Sequence, residues 1–446
     1  MKKSRLVMIG NGMAGVRTLE ELLNIAPDLY DITVFGAEPH PNYNRILLSP
    51  VLAGEQTLEE IVLNDWSWYT DHGITLHSGF TVTDVDRARR IVHAVNAAGE
   101  RISAGYDRLI MATGSNPFML PIPGKDLQGV LAYRDIADTL AMIDAAATYQ
   151  HAVVIGGGLL GLEAANGLMK RGMQVTVVHA GAWIMERQLD EVAGALLQKS
   201  LLERGMQFLT EAQTQDLLSD ETGRVSAVRF KDGTQIPAQL VVMAVGIRPN
   251  TALAEQIHLH VHRGIVVSDT MQTITDARVY AVGECAAHRG VAYGLVAPLF
   301  EQGKVLANHL AEFGIGRYQG SLTSTKLKVT GIDLFSAGDF QGGGDTEEIV
   351  MSDPYGGIYK KLVVKGDKLV GACLYGDTVD GSWYFKLLRE GRSIADIRDK
   401  LMFGESNLGD TGHQGQSKAA AMADADEVCG CNGVTKGAIC KAIKDK

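Results

Sequence analysis

Short, unbroken hydrophobic runs alternate with helical patterning through most of the chain. Leu6 to Ile9 reads as a buried strand and ends in Gly10-Asn11-Gly12-Met13-Ala14-Gly15. Apolar Val16, Leu19, Leu22 and Leu23 then recur at helical spacing until Pro27 stops them, and Ile32 to Phe35 follows as a second strand. This is a β-α-β unit of about thirty residues. The pattern recurs later: a strand from His151 to Ile155, a turn Gly156-Gly157-Gly158-Leu159-Leu160-Gly161, a helix over Leu162–Arg171, and a strand over Val175–Val178.

Two further strand-then-glycine stretches match each other. Tyr106 to Gly114 and Leu240 to Gly246 each predict a buried strand that closes a parallel sheet and ends at a ligand. After residue 316 the rhythm changes. Leu334 to Asp339, Glu347 to Met351, and Tyr359 to Val364 turning back through Leu369 to Tyr375 read as short strands, with a helix over Trp383–Leu388. Glu405 to Asp424 is polar and rich in glycine and alanine, as a linker would be. The expected fold class is α/β, with two Rossmann-like dinucleotide-binding domains and a small C-terminal α+β domain.

Composition narrows the function. The net charge of −10 argues against nucleic acid, since phosphate binding wants a basic face. No apolar run approaches the roughly 20 residues of a membrane span, so no membrane partner is expected and the chain is read as cytoplasmic. Of five cysteines, Cys285 and Cys373 stand alone and read as small buried apolar residues. Cys429, Cys431 and Cys440 crowd the last twenty residues, and an odd count with a C-x-C pair points to metal or redox use rather than a disulfide framework.

The glycine turns carry the first chemistry. Gly10 permits a tight turn, Gly12 lets a pyrophosphate approach the backbone, and Gly15 lets helix and strand pack closely, while the helix N-terminus faces the phosphates. Glu38 stands about 20 residues on, where an acid takes the ribose hydroxyls. Gly156, Gly158, Leu159, Leu160 and Gly161 repeat the arrangement. There the residue after the second strand is His179, followed by Ala180-Gly181-Ala182. It offers neither a carboxylate for a 2′-hydroxyl nor a permanent charge for a 2′-phosphate, although Arg187 could reach one. NADH is the favoured nucleotide on this reading.

Taken together, these motifs resemble the FAD/NAD-linked reductases of glutathione-reductase type. The resemblance rests on Gly10 to Gly15, Ala112-Thr113-Gly114, Gly156 to Gly161 with Glu163, Gly246-Ile247-Arg248-Pro249-Asn250, and Val279-Tyr280-Ala281-Val282-Gly283-Glu284. It implies FAD at Gly10, Gly12, Met13, Ala14, Gly15, Glu38, Arg45, Val82, Ala112, Thr113, Gly114, Gly283, Glu284 and Pro298. It implies NAD(P)H at Gly156, Gly158, Leu159, Leu160, Gly161, Glu163, His179, Arg187 and Gly246. Glu284 stands where these reductases usually carry an aspartate that holds the flavin ribityl chain. Ala297-Pro298 would open a helix aimed at the flavin pyrimidine edge. No side chain is assigned a certain catalytic role. Glu163 is expected nearest the junction of the two cofactors, or is a helix-packing carboxylate.

The stretch Asn42-Tyr43-Asn44-Arg45-Ile46-Leu47-Leu48-Ser49-Pro50 decides between fates for the electrons. It holds no cysteine, which argues against disulfide reduction. It is similar to ferredoxin and rubredoxin reductases, where a lysine usually follows the serine; here Pro50 does. The tail Val428-Cys429-Gly430-Cys431-Asn432-Gly433 resembles the opening of bacterioferritin-associated-ferredoxin-like domains, which bind a 2Fe-2S cluster with four thiolates. Cys429 and Cys431 would be two of the ligands, and Cys440 is read as a buried helix residue. The implied organisation is a FAD-binding domain over 1–120 and 245–316, an NAD(P)H-binding domain over 121–244, the α+β domain over 317–404, a linker over 405–425 and the start of a cluster domain over 426–446.

That order resembles the front half of the large subunits of NAD(P)H-dependent nitrite reductases, as do Tyr43 to Glu55, Trp183 to Asp190 and Thr325 to Gly331. The resemblance implies NAD(P)H and a nitrite reductase catalytic domain or small subunit as partners, with a homodimer left open. Sirohaem and a 4Fe-4S cluster would lie in a later part of such a protein. Two alternatives stay open in the same class: the electron-transfer subunits of assimilatory nitrate reductases, and ferredoxin or rubredoxin reductases. A flavin-bearing binding or regulatory module is the reading from a different class.

Overall fold

The computed structural model describes residues 3–327, 331–408, 422–429 and 434–444. Its core is built twice from the same plan. In the first parallel sheet the strands run in the order Val279–Ala281, Arg108–Met111, Ser4–Ile9, Tyr30–Gly36, Thr75–Ser78. In the second the order is Val130–Ala132, Leu240–Met243, His151–Ile155, Gln174–Val178, Gln207–Leu209, again all parallel. Each fingerprint strand therefore sits at the centre of its sheet, between the second strand and the closing strand.

Both sheets are covered by helices, so their strands are near-continuously apolar. Leu6, Val7 and Met8 are fully buried, as are Val153 and Val154. The first fingerprint helix, Met13–Ile25, buries Val16, Leu19, Leu22 and Leu23 and packs against the helix Val296–Leu310. It ends one residue short of the position before Pro27, where the proline ring disfavours helical backbone. The second fingerprint helix is Leu159–Lys170. It starts three residues earlier than its apolar pattern suggests, because Gly158 itself is the N-cap.

Between its fifth strand and its closing strand each half inserts three short antiparallel strands. These are Phe80–Asp86, Ile91–Asn96 and Arg101–Gly105 in one half, and Thr214–Ser219, Val225–Phe230 and Gln235–Pro237 in the other. The hydrophobic pattern did not reveal them. The two crossings between the halves, Ser115–Pro117 and Ile247–Pro249, run antiparallel side by side.

The C-terminal domain is a five-stranded antiparallel sheet, ordered Ser324–Leu327, Leu334–Gly338, Lys368–Tyr375, Ile358–Lys365, Glu347–Asp353, with the helix Gly381–Glu390 laid on it. Cys285 and Cys373 are buried. Cys440 corrects the expectation made for it: the helix Lys436–Lys444 forms, but it buries none of its residues, and the thiol is partly exposed. The helix is short, and among the described residues the strand pair Glu427–Cys429 and Val434–Thr435 and the segment 422–426 beside it bury none of its side chains. The expected linker falls largely outside the described residues. No helix among the described residues is long and apolar enough to cross a membrane.

Candidate functional site

The first site forms at the carboxyl ends of three adjacent strands. Gly10 has φ +108°, and a Cβ there would lie 2.1 Å from the Ala112 carbonyl oxygen. Only glycine permits that approach, which brings Ala112-Thr113-Gly114 against the fingerprint turn. Gly15 sits equally close to Met8 and Ala112. Gly283 faces Ala14, and its amide donates to Gln302 Oε1 at 3.0 Å. Three motifs far apart in sequence thus converge beside Met13 and Ala14. Val82 lies on the neighbouring antiparallel sheet, packed on the same core.

The second site repeats the arrangement closely. Gly156 has φ +121°, and its Cβ would lie 2.3 Å from the Ala244 carbonyl oxygen. Gly12 and Gly158, by contrast, would place a Cβ in open space. Each is the N-cap of a fingerprint helix, neither helix has a side-chain cap, and neither has an acid in its first turn. The helix Val296–Leu310, with Pro298 in its first turn, is uncapped in the same way. The helices Trp66–Asp71, Ile136–Thr148 and Glu191–Glu203 are capped by Asp65, Asp135 and Asp190. The uncapped amides, open glycines and partial positive charge of the helix ends form cradles that suit an anionic pyrophosphate.

Charged side chains line the first groove. Glu38 accepts from Tyr43 Oη and from Arg45 Nη2, each at 2.7 Å. Arg45 also donates to the Arg134 carbonyl at 2.7 Å. Arg134 pairs in turn with Glu284, which accepts from Ser115 Oγ at 2.7 Å as well. Both members of the Arg134–Glu284 pair are mostly buried. The acids expected at the ribose and the ribityl chain, Glu38 and Glu284, are therefore linked through two arginines. Sequence reasoning found Arg45 but missed Arg134 and Ser115. Arg134 follows the short strand Val130–Ala132 and belongs to no motif, so only the fold brings it to Glu284.

Glu163 lies on the buried side of the second fingerprint helix, two residues past Gly161. It accepts from Ser49 Oγ at 2.7 Å, and Ser49 accepts from Tyr133 Oη at 3.1 Å. The carboxyl is 8 % exposed and has no ion pair among the described residues. Burial pushes its pKa up from 4.5 to about 7, offset in part by the Ser49 hydroxyl. The Tyr43–Pro50 stretch and the second fingerprint are thereby joined at a buried, unpaired acid.

At the far end of the second site, Gly157 N donates to His179 Nδ1 at 3.2 Å, and His179 Nε2 lies 2.8 Å from Glu186 Oε2. Arg187 is exposed, with no ion pair among the described residues. Gly246 has φ +112° and open space before it. Of the expected metal ligands, Cys431 and the Cys429 side chain lie outside the described residues.

Comparison with known proteins follows the same division. Residues 4–305 match the family model described as pyridine nucleotide-disulphide oxidoreductase, and 324–392 match that of the rubredoxin NAD+ reductase C-terminal domain. The chain is 52 % identical, over 100 % of its length, to 54 % of a nitrite reductase (NAD(P)H) of Bacillus subtilis. It is 46 % identical, over 99 % of its length, to 56 % of an assimilatory nitrate reductase electron transfer subunit of the same organism. The chain thus spans about half the length of these curated relatives. A solved covalent putidaredoxin reductase–putidaredoxin complex is similar with a TM-score of 0.80 at 26 % identity, covering 92 % of this chain and 98 % of that one.

Proposed function

Because this chain belongs to the pyridine nucleotide-disulphide oxidoreductase family, we propose that it takes hydride from NAD(P)H onto FAD and passes the electrons on singly to a metal centre. The family's cofactors are FAD and NAD(P)H, and the chain is an NAD(P)H oxidoreductase. The observation that carries the assignment of sites is the pair of uncapped helix N-termini with open glycines, Gly12 and Gly158.

FAD when bound supplies the redox chemistry: a hydride, two electrons with one proton, arrives from the nicotinamide C4. The protein's part is positioning, since the cofactors carry the reaction. Gly10, Gly12, Met13, Ala14 and Gly15 would hold the FAD pyrophosphate, with Arg45 supplying positive charge beside it. Glu38 would take a ribose, and Glu284, fixed by Ser115 and Arg134, the ribityl hydroxyls. Ala112, Thr113, Gly114, Val82, Gly283 and Pro298 complete that groove. Gly156, Gly158, Leu159, Leu160, Gly161 and Gly246 would hold the nicotinamide nucleotide. Glu163, buried and hydrogen-bonded to Ser49, would brace the contact between the two halves.

For the onward electrons we favour a nitrite reductase centre, carried by a catalytic domain or small subunit and located in the cytoplasm. What supports it is the identity to the nitrite reductase across all three folded regions and the absence of a cysteine from Asn42 to Pro50. The nitrate reductase electron-transfer subunit is the second reading, favoured by a match of nearly the same extent. Anaerobic stopped-flow mixing with NADH tests the common core: the flavin absorbance should bleach in one fast phase and return on adding ferricyanide. A yellow protein that NADH and NADPH both fail to bleach would refute the proposal.

A further inference from the structure

We infer that Glu186, steered by His179, reads the adenosine 2′-hydroxyl of the nicotinamide nucleotide and makes the chain selective for NADH over NADPH. The inference rests on the assignment of the second fingerprint to that nucleotide. Dinucleotide sites that prefer the unphosphorylated form place an acid just after the second strand. Here that position is His179, directly after the strand Gln174–Val178.

The loop that follows returns to the same place. Met185 sits in the left-handed region with φ +60°, and its amide donates to the Gly157 carbonyl at 2.9 Å. Glu186, the next residue, is therefore tied to the fingerprint turn although it is seven positions beyond His179 in sequence. A backbone N–H can only donate, so the Gly157 contact makes His179 Nδ1 an acceptor and leaves the ring proton on Nε2. Nε2 is buried and makes no aligned hydrogen bond, and Glu186 Oε2 lies 2.8 Å from it. The imidazole thus lies beside the carboxylate at the ribose end of the site.

The carboxylate remains 43 % exposed, open to a ligand. A ribose 2′-hydroxyl could donate to it. A 2′-phosphate would set a second anion against it, and like charges in contact repel. Arg187 is the cation that could offset this, but no partner among the described residues fixes it.

The test compares kcat/KM for NADH and NADPH on the FAD-loaded chain with ferricyanide as acceptor, and Kd for NAD+ and NADP+ by calorimetry. The wild type should favour NADH at least tenfold. Glu186→Gln should cut that ratio about tenfold, or about 1.4 kcal/mol, and tighten NADP+. His179→Asn should raise KM for NADH while kcat holds, as befits a positioning residue. A wild-type preference for NADPH, or a ratio and Kd that Glu186→Gln does not move, would overturn the inference while leaving the oxidoreductase reading intact. Failure of both nucleotides to reduce the flavin would instead overturn that reading and this inference with it.

Discussion

Ser49 and Glu163, 114 positions apart in sequence, meet through one 2.7 Å hydrogen bond that the serine donates. The acid finds no cation among the described residues, so burial dominates and holds its carboxyl near 7 against 4.5 in an exposed chain. The folded state then binds a proton more tightly than the unfolded one. Stability should be unaffected below about pH 4, fall as pH rises through that interval, and stay lowered above 7. The loss amounts to roughly 3 kcal/mol at about 1.4 kcal/mol per pH unit. Glu163→Gln should lack this slope. Denaturant unfolding of both proteins at pH 5 and pH 8 checks it, and parallel pH profiles would contradict the assignment.

Gly12 is extended, with φ −84°, and a Cβ there would meet nothing within 4 Å. Gly12→Val should therefore fold normally yet lose flavin, with affinity down at least about tenfold. Absorbance near 450 nm against thermal unfolding separates the two effects; a fully yellow variant would count against the site.

Gly158 has the same surroundings in the second half. Gly158→Val should keep its FAD and lose fast bleaching by NADH. Stopped-flow amplitude at matched flavin content is the measurement, and an unchanged rate would reassign the second fingerprint.

Arg134 is the only ion-pair partner of Glu284 among the described residues, and both side chains are mostly buried. Arg134→Ala would strand a buried charge, at a cost of about 3 kcal/mol. It should lower the unfolding midpoint of the FAD-free protein and weaken FAD binding. Arg134→Lys should recover part of both losses.

A polypeptide of these 446 residues places three cysteines, Cys429, Cys431 and Cys440, in its tail, whereas a 2Fe-2S cluster takes four thiolates. Its visible spectrum should be that of flavin, and it should reduce ferricyanide. Iron analysis after anaerobic reconstitution decides: about two irons per chain in a stable cluster would mean that a second chain or another group completes the ligand set.

The parts legible in the sequence are those that local geometry dictates. Gly10 and Gly156 announce themselves because a tight turn after a buried strand needs glycine there, whatever the rest of the fold does. Arg134, Ser115 and Tyr133 carry no such mark. Their partners, Glu284 and Ser49, lie 84 to 169 positions away in sequence, and only the tertiary fold joins them, for Arg134 and Tyr133 by packing one half on the other. The inserted antiparallel strands escaped for a related reason. Phe80–Asp86 has one buried residue, Val85, so it offers no apolar run to read. His179 was visible as a departure from the usual acid, but Glu186 was not, since the loop returns through a backbone bond to Gly157.

The C-terminal sheet touches this same loop. Gln341 Nε2 donates to the carbonyls of Glu186 and Leu189, at 3.3 and 3.2 Å, and Tyr359 Oη donates to Asp190 Oδ2 at 2.6 Å. Lys361, nearly buried, lies 3.6 Å from the same Asp190 carboxylate, which also caps the helix Glu191–Glu203. The two regions are thus unfit to be traded separately. A chimaera that takes its last domain from a distant relative would set foreign side chains against residues 186–190 and should show it first as a poorer grip on the nucleotide. Exchange should succeed only when that short segment travels with the sheet that braces it, so recombination between such reductases is constrained to inherit the two together.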